Sequence, residues 1–397
     1  MVNIGLLGFG TVGQGIVDIL NDKSDKVLLK DLYIKKILVR RLEKQRQVKV
    51  SKDKLTLNPQ EIIEDKEIDI IVEVTGDVDL GYKLIKKALK NKKHVVTANK
   101  ALVSKHFEEL TQLAEENHVY FLYEASVAGG VPILKSLKDQ IKLNSISKIK
   151  GILNGTCNYI LTRMTEDGLD YSQALKEAQD LGYAEADPTS DVKGIDTLRK
   201  LRILSTMALG ASIREEDIIC HGIDRLSALD IKLLKERNMV IKLMGETVEV
   251  DGGYKAIVQP KALRDDSYFA MISDAYNAVS IEGNFSGLLN FYGPGAGMHP
   301  TGNAVLTDLI DCVANSQDKR SPLRDRKLDN RNKDIQGRYY IRVSNWKEDR
   351  YKLEGLVDEK VFENEEELAF ITKELKLSGI LNILKEVKNY AIVNIEY

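Results

Sequence analysis

Short apolar runs alternate with helical spacings through the first third of the chain. Val2 to Leu7 is apolar and leads into a glycine-rich turn, after which QGIVDIL repeats its apolar positions at helical intervals. IKKILVR, IDIIVEV, HVVTA and VYFLYEA read as further buried strands, separated by helical segments such as DLGYKLIKKALKN and HFEELTQLAEEN. Apolar strands alternating with helices predict an α/β, doubly wound parallel sheet. From about Ile218 to Ile281 the pattern changes: ALDIKLLKERN predicts a helix, and VIKLMGETVEV, YKAIVQP and NAVSIEG predict strands of a second sheet with helices on one side. Residues 316–336 are highly charged and almost without apolar periodicity, which marks a linker. Beyond it, RYYIRVS, YKLEGLV and ELAFITK predict strands, SGILNILKEVKN a helix, and YAIVNIEY a closing strand.

One predicted helix carries charges inside its apolar stripe. The run GYAEADPTSDVKGIDTLRK, Gly182 to Lys200, leads into LRILSTMAL, and Ser190 or Asp191 is placed to cap the helix. Helical spacing then aligns Asp196, Lys200, Ile203 and Met207 on one face. An exposed Asp/Lys pair four residues apart would contribute only a few tenths of a kcal/mol. The pattern alone does not separate that solvated pair from a catalytic pocket.

The first turn has the form of a dinucleotide site. In Gly8-Phe9-Gly10-Thr11-Val12-Gly13, Gly8 allows the tight turn, Gly10 leaves room for a pyrophosphate, and Gly13 permits close helix packing. The N–H groups of the helix that begins at Thr11 and Val12 face the same phosphate. The second strand ends in Arg40-Arg41, whose guanidinium groups suit the 2′-phosphate of NADP, although Glu43 nearby could serve the ribose of NAD. Thr75 and Lys100 each follow an apolar strand, where open α/β sheets bind ligands, and Lys100 is a candidate to lie beside the nicotinamide.

Composition narrows the partners. The 58 Lys+Arg against 60 Asp+Glu leave a formal net charge of -2, which gives no global attraction to nucleic acid or to an anionic membrane. Cys157, Cys220 and Cys312 lie far apart without metal-ligand spacing, so neither a disulfide framework nor a zinc site is indicated. Cys157 invites comparison with a thiohemiacetal-forming nucleophile, but no His partner is evident nearby. The N-terminus has no basic leader and no run of about 18 apolar residues occurs, which leads to the expectation of a soluble, cytoplasmic protein.

Four segments together carry a family resemblance. EASVAGGVPI (124–133), GILNGTCNYIL (151–161), the run from Gly182 to Lys200, and YGPGAGMHPTGNAVLTDL (292–309) resemble homoserine dehydrogenase in order and spacing, across roughly residues 1 to 315. The resemblance implies NAD(P)-dependent interconversion of L-homoserine and L-aspartate 4-semialdehyde, in threonine, methionine and isoleucine biosynthesis. It implies that Lys200 is the acid/base, supported by Lys100 and Asp196, and that Glu185 holds the substrate amine. Asp191 and Asp196 would line the same pocket, with Gly155 and Thr156 on an adjacent turn. Gly295 and Gly297 would approach the cofactor, and Glu124 with the carbonyls of Val127, Gly129 and Val131 would hold a monovalent cation, sodium. A nucleotide-sensing protein without catalysis would have no need to keep Lys200 together with Glu185 and Asp196.

The resulting organisation is a Rossmann-type dinucleotide-binding domain over 1–130 and an α+β substrate-binding and dimerisation domain over 131–291. A return to the first domain over 292–315, the linker over 316–336 and a small α+β domain over 337–397 complete it. The last domain is similar to an ACT domain, but Ser344 to Asp349 reads as passing almost directly to the next strand, without the usual helix. A homodimer or higher homo-oligomer is implied by the same resemblance.

Overall fold

A computed structural model describes residues 1–22, 30–316, 318–324 and 326–396. Its chain forms two compact units, Met1–Leu143 with Arg202–Ser212 and Gly293–Arg326, and Asn144–Leu201 with Ile213–Tyr292 and Lys327–Tyr397.

The first unit is built on a parallel sheet of β1 (Val2–Leu7), β2 (Leu32–Leu38), β3 (Leu55–Thr56), β4 (Ile70–Glu73), β5 (His94–Thr97) and β6 (Phe121–Leu122). Their spatial order is β3-β2-β1-β4-β5-β6, the doubly wound arrangement in which the strand order reverses beside β1. Ile4, Leu6, Ile37, Ile70, Val72 and Val96 are buried in one core cluster, which is why these strands read as continuous apolar runs. Helix Met298–Ala314 returns to pack on helix Thr11–Asn21 within this unit.

The second unit carries a sheet of β7 (Ile146–Ile152), β8 (Ile219–Cys220), β9 (Met239–Val250), β10 (Gly253–Arg264), β11 (Tyr276–Gly283), β12 (Gly287–Pro294), β13 (Asp329–Asn330), β14 (Gln336–Ser344), β15 (Val357–Glu363), β16 (Glu367–Thr372), β17 (Leu375–Lys376) and β18 (Tyr390–Glu396). Its main path runs β12-β11-β7-β9-β10-β18-β14-β16-β15. Glu396 on β18 pairs with Lys150 on β7 and Lys261 on β10, so the last described residue joins β7 and β10 to the strands of the C-terminal module.

Three expectations need correction. The helix bearing Asp196 and Lys200 is not capped by Ser190 or Asp191: those residues lie in a separate short helix, Thr189–Val192, and the long helix begins at Ile195. Between them Gly194 adopts φ +81°, where a Cβ would also crowd the Cys220 sulfur at 3.0 Å, so the chain breaks there. YKLEGLV is not a strand. Trp346 to Leu353 is helical, as a short 3-10 turn followed by Arg350–Leu353, because Trp346, Leu353 and Leu356 all bury in the core of the C-terminal module. The strand follows at β15, and the helix expected to be missing is present in short form. Within 316–336, whose residues 317 and 325 lie outside the described set, the Arg324 amide donates to the Gly210 carbonyl at 2.8 Å and β13 pairs with β10. No helix among the described residues is long and apolar enough to cross a membrane.

Candidate active site and cofactor cradle

On helix Ile195–Leu209, the charged stripe is internal. Asp196, Lys200, Ile203 and Met207 are all buried. The Lys200 ammonium donates to the Leu153 carbonyl at 2.7 Å and pairs with the Asp196 carboxylate at 2.8 Å. Asn277 donates a second hydrogen bond to the same carbonyl, at 3.1 Å. This rules out the solvated ion pair: two buried charges require geometry of this kind to persist.

Asn154, which was not singled out from the sequence, organises the acids. Its Nδ2 donates to Asp191 at 2.7 Å and to Asp196 at 2.8 Å, while its Oδ1 accepts from the Cys157 amide at 2.7 Å and caps helix Gly155–Glu166. The available signal was the Asn-Gly pair between an apolar strand and a helix, a common cap. Of the predicted pocket residues, Gly155 begins this helix and cannot carry a side chain, since a Cβ would stand 2.6 Å from the Ala275 carbonyl. The Thr156 hydroxyl donates to the Tyr183 carbonyl at 2.6 Å and so ties the helix to the segment bearing Glu185. Glu185 itself is exposed, with its main-chain carbonyl held by Gln179. The Cys157 thiol points to the Asp191 carbonyl at 3.1 Å, and burial, reinforced by Asp191 and Asp196, pushes its pKa well above the ordinary value. A thiol held in that form is a poor nucleophile.

In the first unit, the glycine turn takes the form anticipated for it. Gly8 has φ +107°, and a Cβ there would lie 2.6 Å from the Val74 carbonyl. A Cβ on Gly13 would reach the Gly8 carbonyl at 2.4 Å, whereas beside Gly10 there is open space. Thr11 and Val12 form the first turn of the following helix. Arg40 and Arg41 are exposed on the loop after β2. Arg46, also missed, shapes that loop by donating to the carbonyls of Arg41 at 2.8 Å and Lys44 at 2.9 Å. Gln14 accepts from the Gln47 amide at 2.8 Å, which fastens the same loop to the glycine helix. Thr75 follows β4, and Lys100 is the first residue of helix Lys100–Glu116, capped by Asn99.

The segment 124–131 has a structural duty that the sequence did not disclose. Both carboxylate oxygens of Glu124 accept backbone N–H groups of helix Ile133–Gln140, from Leu134 at 2.9 Å and Lys135 at 2.6 Å. Burial raises the Glu124 pKa and drives that of Asp308, which accepts the Glu124 amide, well above its ordinary value. Val127, Gly129 and Val131 are buried, and a Cβ on Gly129 would stand 2.3 Å from the Gly295 carbonyl. The loop thus packs against the segment containing Gly295 and Gly297. The carboxylate and the main-chain carbonyls supply oxygen donors only, which fits a hard monovalent cation.

Comparison with known proteins agrees across the chain. Residues 8–124 match the family description "Homoserine dehydrogenase, NAD binding domain" and residues 132–310 match "Homoserine dehydrogenase". Homoserine dehydrogenase from Synechocystis sp. is 43% identical over 317 residues, covering 79% of this chain and 73% of the relative. The crystal structure of a homoserine dehydrogenase from Thiobacillus denitrificans superimposes with a TM-score of 0.88 at 31% identity, covering 100% of this chain and 98% of that one. A hyperthermophilic archaeal homoserine dehydrogenase in complex with NADPH gives a TM-score of 0.68 at 28% identity, over 80% of this chain and 99% of that one. With matches over both units and a relative 43% identical across 79% of this chain, the chain belongs to the homoserine dehydrogenase family of oxidoreductases.

Proposed function

We propose that Lys200 is the acid/base of this homoserine dehydrogenase, and that Glu185, Asp191, Asp196, Gly155 and Thr156 form the substrate subsite. The observation that carries the reading is the buried Lys200 ammonium, fixed between the Leu153 carbonyl and Asp196 at the end of the acid-rich run. A bound nicotinamide supplies or accepts the hydride. In the reductive direction Lys200 gives its proton to the alkoxide forming at the carbinol carbon, and in the oxidative direction it receives the hydroxyl proton. Glu185 pairs with the substrate ammonium, an acceptor role open to an exposed carboxylate on a loop. Lys100, at the N-terminal end of its helix, assists from the cofactor side.

NADP is the cofactor this reading favours over NAD, held by the turn from Gly8 to Gly13, by Arg40 and Arg41 at the 2′-phosphate, and by Thr75, Gly295 and Gly297. The exposed arginines and the archaeal relative bound to NADPH support it. Sodium would be held by Glu124 and the carbonyls of Val127, Gly129 and Val131. There it would stiffen the loop that packs against Gly295. The domain division given above, a homodimeric or larger assembly, a cytoplasmic location and an ACT-like role in packing or dimerisation for the C-terminal module belong to the same reading. The deciding experiment is NAD(P)H formation by purified protein with L-homoserine, alongside Lys200→Ala. Absence of turnover with either cofactor across salts and pH would sink the catalytic reading, and an unchanged kcat in the variant would remove Lys200 from its role.

A further inference from the structure

Glu73, which none of the steps above uses, ends β4 with its side chain fully buried. One carboxylate oxygen accepts from the Thr75 amide at 2.8 Å and the Thr75 hydroxyl at 2.6 Å; the other accepts from the Thr97 hydroxyl at 2.7 Å. The two threonines are relays. The Thr75 hydroxyl accepts from the Asp77 amide at 3.2 Å, and Asp77 caps helix Val78–Lys90. The Thr97 hydroxyl accepts from the Asn99 amide at 3.0 Å, and Asn99 caps helix Lys100–Glu116. With its single proton committed to Glu73 and its oxygen to a backbone amide, each hydroxyl is oriented to favour an ionised carboxylate. Gly81 leaves the space above it, where a Cβ would come within 3.1 Å of the carboxyl group.

Among the described residues, Glu73 forms no ion pair. Burial therefore raises its pKa against the pull of these hydrogen bonds, and Asp77 adds to the rise. A buried charge held by neutral donors alone is costly, and any cation that arrives nearby is bound more tightly for it. The carboxylate lies at the C-terminal end of a central strand, between the loops that carry Thr75 and Lys100, where open α/β sheets bind their ligands.

We infer that Glu73 is a positioning residue that joins the Thr75 and Lys100 loops and whose negative charge favours the oxidised, positively charged nicotinamide over the neutral reduced one. The inference rests on the cofactor reading above. It adds that the protein itself biases the redox state of the bound cofactor, through a charge that touches neither substrate nor hydride.

The test is calorimetric binding of NADP+ and NADPH, and in parallel NAD+ and NADH, to wild type, Glu73→Gln and Glu73→Asp. Glu73→Gln is expected to raise the ratio of the oxidised to the reduced Kd about tenfold, the effect of one charge at several ångströms in a partly buried site. Glu73→Asp keeps the charge and shortens the bridge, so both Kd values rise together and the ratio stays within about twofold. A ratio unchanged in Glu73→Gln, or shifted equally in Glu73→Asp, overturns the inference. Should Glu73→Gln not fold, Thr97→Val removes a donor that favours the ionised form: a raised ratio supports the inference and an unchanged one overturns it. Wild type that binds neither cofactor pair would instead overturn the cofactor reading.

Discussion

The Lys200 ammonium lies 2.8 Å from the Asp196 carboxylate, one turn back on the same helix, and both side chains are buried. Removing the amine therefore has two separable consequences. Lys200→Ala should lower kcat by about 10²- to 10⁴-fold, the usual span for loss of a general acid/base. It should also cost about 3–5 kcal/mol of stability, because Asp196 loses its buried cation. Lys200→Arg restores much of the stability but little of the rate, since a guanidinium does not exchange its proton near neutrality. Steady-state kinetics with urea unfolding on both variants would show the split; equal recovery of rate and stability in the arginine variant argues against the assigned role.

Asn154 can be tested by a substitution that preserves its cap. Aspartate caps helix Gly155–Glu166 as well as asparagine does. It also sets a third carboxylate against Asp191 and Asp196 in place of the amide that bridges them. Asn154→Asp should therefore keep most helix stability while kcat/KM falls at least about tenfold, with partial recovery at lower pH as the acids share protons. A variant with wild-type kcat/KM at neutral pH would show that the bridge is dispensable.

Arg40 and Arg41 are exposed beside the glycine turn. Replacing both with alanine should raise KM for NADPH about 10- to 100-fold, as expected for the loss of charge-assisted hydrogen bonds to a phosphate. KM for NADH should change by less than about twofold on the same grounds. Parallel losses for the two cofactors would place the 2′-phosphate elsewhere.

Glu124 caps helix Ile133–Gln140 through both carboxylate oxygens. Glu124→Ala is expected to cost about 1–3 kcal/mol, chiefly from leaving the buried Leu134 amide unsatisfied. It should also abolish any rise in melting temperature that sodium gives over a bulky organic cation. A sodium effect retained in the variant would exclude the carboxylate from the cation site.

Lys242 is buried on β9, donates to the Ile272 carbonyl at 2.6 Å, and has its pKa lowered by burial from 10.5 to about 8. The folded protein therefore binds this proton less tightly than the unfolded chain does. The stability Lys242 contributes is present above pH 10.5 and is lost as the pH falls through about 8. Lys242→Met should consequently be more stable than wild type at pH 7 by about 2 kcal/mol, the shift offset by one lost hydrogen bond. Chemical denaturation at pH 7 and at about pH 10 should show that advantage shrinking with pH. A constant difference would mean that Lys242 does not titrate between them.

The readable parts of this chain were those governed by neighbours in sequence. Strand runs from Val2 to Leu122, the stripe of Asp196, Lys200, Ile203 and Met207, and the separate duties of Gly8 and Gly13 follow from periodicity and local sterics. Where a tertiary contact outweighed local preference, the reading failed: burial of Trp346 and Leu353 made a helix of a segment with a strand-like pattern. Gly194 likewise started the helix bearing Lys200 later than the available caps suggested.

Local pattern also leaves a polar side chain's partner open. Sequence alone determined the two-sheet character, the form of the glycine turn and the face on which Lys200 lies. Only the tertiary structure decided that Lys200 is an internal cation, that Asn154 bridges two acids 37 and 42 residues away, that Glu124 caps a helix ten residues on, and that Glu73 ties Thr75 to Thr97. The physical reason is that helical and strand periods report which face of an element is buried, whereas a buried polar group is satisfied by whichever donor or acceptor the fold brings within about 3 Å.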